Sequence, residues 1–197
     1  MTDTADTGPL FASDTGGAGA GAEFYDAADW RNLPHGRPCA VYGDGLFAVT
    51  GTELASIGAP EHRVITVTGN GRIASILDGR PDNNLNDPTV RAFVRERVVT
   101  NQDAILYTPR AFVRGYQRAL FDTGTSLRLY DYPKLYWWLA TLDGRAWTAA
   151  ELSADLAANW DALLPETRMW AVQYDQQPQL GPGAKVDVSR LFLDFRP

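Results

Sequence analysis

The sequence holds a single cysteine, Cys39, and two histidines, His35 and His62. One thiol cannot close an intrachain disulfide, and one thiol with two imidazoles is a ligand short of a tetrahedral zinc set, so no metal site is expected. Lysine is almost as scarce: of the 18 basic residues only Lys134 and Lys185 are lysine, against 24 acidic residues and a formal net charge of −6. Surplus negative charge repels a phosphate backbone, which argues against nucleic acid as a partner. No unbroken apolar stretch approaches the roughly 20 residues that span a bilayer, so no membrane insertion is expected. No Lys or Arg precedes Arg31, and no apolar run of about 7 to 15 residues follows the start, so a secretory signal is not expected either.

What is present suits one globular domain. The chain has 197 residues, 45% of them hydrophobic, with 6 Trp, 8 Tyr and 8 Phe. That is enough apolar surface to fold without metals or disulfides. Residues 1–22 are rich in Thr, Asp, Gly and Ala and read as a disordered N-terminal tail; residues 23–197 read as the domain.

Eight short apolar runs are strand candidates: Phe24–Ala27, Cys39–Tyr42, Val64–Thr68, Ala74–Leu77, Ala104–Tyr107, Leu135–Leu139, Met169–Tyr174 and Val186–Leu191. They are near-continuous rather than alternating, as in strands covered on both faces, which points to a parallel sheet under helices. Three helices announce themselves. Asp87-Pro88 precedes Val90, Phe93, Val94 and Val98; Thr108-Pro109 precedes Phe112, Val113, Tyr116 and Leu120; Thr148 with Glu151 forms a capping box ahead of Leu152, Leu156 and Trp160. The alternation predicts an α/β fold, an abbreviated TIM-like (β/α) barrel, because the domain is short for the full form. Gly69-Asn70-Gly71 leaves no room for a crossover helix and reads as a tight turn. It lacks the Lys-Ser/Thr of a phosphate loop.

In such folds the C-terminal strand ends carry the chemistry, and here those ends are acidic: Asp26, Asp44, Asp78 and Asp187. If they gather in one mouth, mutual repulsion and partial burial would raise the pKa of at least one of them, which suits a general acid; taken singly, an Asp there caps the next turn. Tyr42, Trp138 and Tyr174 offer aromatic stacking faces, or else core packing for Trp138, with Trp137 and Trp138 on opposite faces of one strand. Trp160 and Trp170 read as core. Asp82–Asp87 is an oxygen-rich loop that lacks the glycine and terminal glutamate of an EF-hand, so a polar helix-capping loop is the expectation rather than calcium. Arg91, Arg95 and Arg97 read as a solvated helix face. Cys39 reads as a small buried hydrophobe, since His35 has no evident orienting partner.

The order and spacing of Tyr25-Asp26, Val41-Tyr42-Gly43-Asp44-Gly45, Ile76-Leu77-Asp78-Gly79-Arg80-Pro81, Tyr136-Trp137-Trp138-Leu139-Ala140, Ala171-Val172-Gln173-Tyr174 and Val186-Asp187-Val188-Ser189 resemble the lysozyme-type barrel of family 25 glycoside hydrolases. The resemblance spans Phe24 to Phe195, and is to the abbreviated forms in actinobacteria and their phages; the preference for Arg over Lys suits such GC-rich coding. It implies cleavage of the β-1,4 glycan bond of peptidoglycan by an Asp-x-Glu pair on the fourth strand, with no cofactor. Asp78 matches the first carboxylate, but Arg80 stands where the general-acid Glu would be, and a guanidinium cannot donate a proton at working pH.

Two site readings follow. Acid duty passes to Asp26 or Asp187 across from Asp78, or Arg80 neutralises Asp78 and leaves a surface on which Tyr42, Asp44, Arg80, Trp138, Gln173 and Tyr174 bind glycan. The second makes the chain a cell-wall-directed component of a phage virion, such as a minor tail protein, whose partners are bacterial cell-wall glycan and other virion tail proteins. The first makes it a lysin held in the host cytoplasm until release. A purely structural virion subunit is the third expectation.

Overall fold

A computed structural model describes residues 21–80, 83, 87–122, 127–129, 132–159, 168–178 and 185–195. Its centre is a closed eight-stranded barrel. The strands are β1 (Glu23–Asp26), β2 (Cys39–Tyr42), β3 (His62–Thr66), β4 (Ile76–Asp78), β5 (Ala104–Pro109), β8 (Leu135–Ala140), β9 (Met169–Pro178) and β10 (Lys185–Phe195). All eight apolar runs are therefore strands. A hairpin of β6 (Phe121–Asp122) and β7 (Leu127–Arg128) stands apart and has no sequence signal comparable to the others. Every neighbouring pair from β1 round to β9 is parallel. The last strand, β10, runs antiparallel to both β9 and β1 and closes the wall.

The pleat explains why the runs are continuous. On β4, Ile76 faces the barrel interior and Leu77 the outer layer, and both are fully buried. Interior rings pack edge-to-face: Trp138 lies 6.0 Å from Phe24 and 5.4 Å from Trp170. A bulge on β9 skips Trp170 in the pairing with β8, which turns that ring inward. Trp137, one residue before Trp138, packs in the outer layer with Leu106 and Phe93. Truncating any such ring to Ala costs about 3–5 kcal/mol.

The outer layer rests on α1 (Gly51–Ile57), α2 (Asp87–Val99), α3 (Val113–Ala119) and α4 (Ala149–Asn159). Thr148 and Glu151 form the expected capping box on α4. The same device, Thr50 with Glu53, starts α1, a helix the hydrophobic spacing misses because only Ile57 of it is buried. Pro109 still belongs to β5, and a 3-10 turn at Arg110–Phe112 delays α3 beyond the start predicted from Thr108-Pro109. No described helix is long and apolar enough to cross a membrane.

Several expectations need correction. The Gly69-Asn70-Gly71 segment makes no hairpin, since β3 and β4 are parallel. It is a loop turned by Thr66 Oγ1, which accepts from the amides of Thr68, Gly69 and Asn70. Arg97 is not on a solvated face: it is buried and donates to the carbonyls of Asp103 and Gly71, tying α2 to the strand loops. Gly21 and Ala22 are not tail, because both pair with Leu191 of β10. The rest of the expected tail, Trp160, and all of the expected Asp82–Asp87 loop except Asn83 and Asp87 lie outside the described residues, and Asp87 opens α2.

Candidate functional site at the barrel mouth

Parallel strands deliver their C-terminal ends to one rim, and the inward positions there are Asp26, Tyr42, Asp78, Tyr107 and Gln173. Antiparallel β10 enters from the same rim and adds Asp187, the register partner of Asp26. Three of the four predicted carboxylates thus converge.

Asp78 is the most enclosed, with its side chain 1% exposed. Arg80 curls back over it: Nε lies 3.0 and 3.1 Å from the two carboxylate oxygens and Nη2 2.7 Å from Oδ2. The Arg80 amide adds a bond of 3.2 Å. Tyr42 caps the pair, its hydroxyl 3.4 Å from Asp78 Oδ2 and 3.3 Å from Arg80 Nη2. Burial works against the charge on Arg80, but the hydrogen bonds and charge of Asp78 outweigh it, so the guanidinium is held firmly protonated. Gly79 is required between them: a Cβ there would sit 2.8 Å from the Tyr107 carbonyl.

The seam between β1 and β10 is different. Asp26 is only 5% exposed, and its Oδ1 has no hydrogen-bond partner. Burial raises its pKa well above the ordinary carboxylate range, the charges of Asp187 and Asp78 push it further, and Arg80 only partly offsets them. Burial also raises Asp187, while the amides of Gln176 and Gln173 and the charge of Arg80 pull it back. Asp187 Oδ1 and Gln173 Nε2 are likewise buried without a partner at hydrogen-bonding distance. The other end of that amide is engaged, since Tyr107 donates to Gln173 Oε1 at 2.5 Å. Burial and the neighbouring Asp charges raise the Tyr42 and Tyr107 phenols, which stay protonated.

Other predicted site residues sit elsewhere. Asp44 is not in the mouth: its carboxylate accepts from Thr66 Oγ1, Thr68 Oγ1 and the Val67 amide, pinning the loop after β2 to the loop after β3. Trp138 is fully buried in the barrel interior, its indole donating to Ser189 Oγ at 2.8 Å, and has no face to offer a ligand. Tyr174 is on the outer side of β9, because strand alternation sends only one of Gln173 and Tyr174 inward; its hydroxyl lies 3.3 Å from Glu23 Oε1. Cys39 is buried and its thiol is pushed up to about 12 by burial and the Asp26 charge, which leaves no thiolate nucleophile. No group of His, Cys, Asp and Glu among the described residues could hold a metal ion. Tyr107 belongs to the site and was missed; counting alternate residues inward from Ile105 along β5 finds it.

No family model matches the chain, and no curated protein matches it. One solved structure is similar, an uncharacterized protein of B. stearothermophilus, at 13% identity and a TM-score of 0.38 over 90% of this chain and all of that one. A likeness that thin carries no argument about fold or activity.

Proposed function

We propose that the mouth binds a saccharide of the bacterial envelope and does not cleave it. The observation that carries this reading is the fork of Arg80 on Asp78. A carboxylate held in two hydrogen bonds by a guanidinium is a poor nucleophile or base, and the guanidinium supplies no proton. Neutral phenols, an open amide donor and clustered carboxyls are the groups that bind sugar hydroxyls. On this reading the barrel is an abbreviated TIM-like (β/α) barrel related to the muramidases, carried as a tail-associated component of a virion. Peptidoglycan as the target rests on the sequence resemblance alone.

A second reading has one observation in its favour. Burial and the charges of Asp187 and Asp78 hold the Asp26 carboxyl above the ordinary range, which suits it or Asp187 to acid duty across from Asp78, and two carboxyls at a suitable separation suffice for glycoside hydrolysis whichever strands supply them. One experiment separates the readings: sedimentation of the protein with purified actinobacterial peptidoglycan, with release of new reducing ends measured for wild type and Asp78→Asn. The binding reading expects co-sedimentation and no release from either protein. Release by wild type that Asp78→Asn abolishes would establish the glycosidase instead. Neither binding nor release by folded protein would leave a structural subunit.

A further inference from the structure

Among the described residues the large apolar side chains left in solvent are Leu46, Phe47, Val99, Phe112 and Leu142. Val99 closes α2 at the far end of the barrel. The other four lie on loops that follow β2, β5 and β8, on the rim of the mouth. Exposed apolar groups gathered at one end of a molecule mark a surface that meets something.

The loop that carries Leu46 and Phe47 is held in place with unusual thoroughness. The Gly43 amide donates to the Ile65 carbonyl and the Val49 amide returns to the Tyr42 carbonyl, each at 2.8 Å, which closes the loop at its base. Asp44 fastens it to the loop after β3 through the Val67 amide and two threonine hydroxyls. Gly45 adopts a φ of +77°, and a Cβ on it would lie 2.7 Å from Val67 Cγ2; a Cβ on Gly43 would lie 2.5 Å from Val64 Cγ1. Two glycines, a carboxylate and two threonines therefore fix a loop whose tip displays Leu46, 90% exposed, and Phe47, 44% exposed. The Phe47 ring is 5.9 Å from the Tyr42 ring, tilted by 58°. Tyr42 in turn reaches Asp78 and Arg80.

We propose that Leu46 and Phe47 form a rigid apolar platform on which a pyranose ring lies by its C–H face, its hydroxyls directed to Arg80, the member of the Tyr42, Asp78 and Arg80 cluster that reaches solvent. A pyranose has one apolar face and a polar rim, and the surface beside it has the same two halves, an aromatic step one ring-width from a charged fork. A rigid platform loses little freedom on binding, so the contact goes into affinity. Asp44 is then a positioning residue for the platform. The inference rests on the saccharide reading of the mouth and adds the residues that set its affinity.

The test is calorimetric titration of the full chain with a soluble glycan fragment of two peptidoglycan disaccharide repeats. Phe47→Ala, which removes an exposed ring and leaves the thermal midpoint unchanged, is expected to bind about tenfold more weakly, as loss of one buried aromatic contact implies. Phe47→Trp retains wild-type affinity, and Val99→Ala, at the far end, is unaffected. Wild-type affinity in Phe47→Ala would overturn the platform while leaving the saccharide reading in place. No binding by wild type would overturn both.

Discussion

Two pairs of side chains at the same rim handle buried negative charge in opposite ways. On β4, Asp78 keeps a counter-ion within 3 Å, and the pair is closed by a phenol. Across the β1–β10 seam, Asp26 faces another acid, with unpartnered oxygens on both sides, and burial favours the protonated form in place of a counter-ion. A folded chain can neutralise a buried carboxylate with a cation or with a proton. The first choice removes a catalyst; the second leaves an acid in reserve. On the proposed reading it is this contrast, rather than the count of carboxylates, that separates a binding mouth from a hydrolytic one.

The comparison can be broken most severely at Arg80. Arg80→Ala leaves Asp78 charged and uncompensated in the interior, a change that costs about 3–5 kcal/mol for a fully buried pair. Arg80 is itself partly exposed, which lowers the expectation to about 2 kcal/mol. Urea unfolding at neutral pH measures it. The double variant Asp78→Asn with Arg80→Met should recover most of the loss, since both halves of the pair are then neutral; no recovery would mean that the fork is not what stabilises the β4 rim.

Asp26→Asn sharpens the other half. In the unfolded chain the Asp26 carboxyl titrates near its ordinary value of about 4, while in the fold it keeps its proton to higher pH. Between those values the unfolded chain binds fewer protons, so the protein loses stability as pH rises, at up to about 1.4 kcal/mol per pH unit while this group titrates. Below pH 4 the difference vanishes. Asn should therefore stabilise the protein at pH 7, leave it unchanged near pH 4, and flatten the slope between. Thermal melts across that range decide the matter. Asp187→Asn should act in the same direction and by less, because Gln176, Gln173 and Arg80 already offset its shift. An Asp187 effect equal to that of Asp26 would show the two sharing one proton as a unit.

Much of the fold was legible because strands buried on both faces write themselves as unbroken apolar runs. Cys39–Tyr42 begins and ends where its run does. The antiparallel entry of β10 was not legible, since Val186–Leu191 reads alike in either direction. Nor was α1 seen from hydrophobic spacing, although Thr50 and Glu53 carry the same capping signal that revealed α4. In the site, Asp26, Asp78 and Asp187 were readable from their places at strand ends, whereas the engagement of Asp78 by Arg80 was one of two open readings, because Arg80 lies beyond the end of β4 and reaches Asp78 only by curling back. Asp44 was misplaced because a strand-end aspartate serves a loop as readily as a mouth, and the difference lies in Thr66 and Thr68, which are distant in sequence. Tyr174 and Trp138 were misplaced for a simpler reason: alternation admits one of two adjacent residues to the interior, and depth in the barrel decides whether that one reaches a ligand.

Because β10 pairs with both β9 and β1, the wall closes only when the two described strands farthest apart in sequence meet. Until then the growing sheet has two open edges, each a row of unpaired amides and carbonyls that can recruit another chain. Closure must bring together segments far apart in sequence, and contacts of that kind form slowly. The Asp26–Asp187 seam therefore joins the described strands that lie farthest apart in sequence, and a chain in which it has not formed exposes both edges to aggregation.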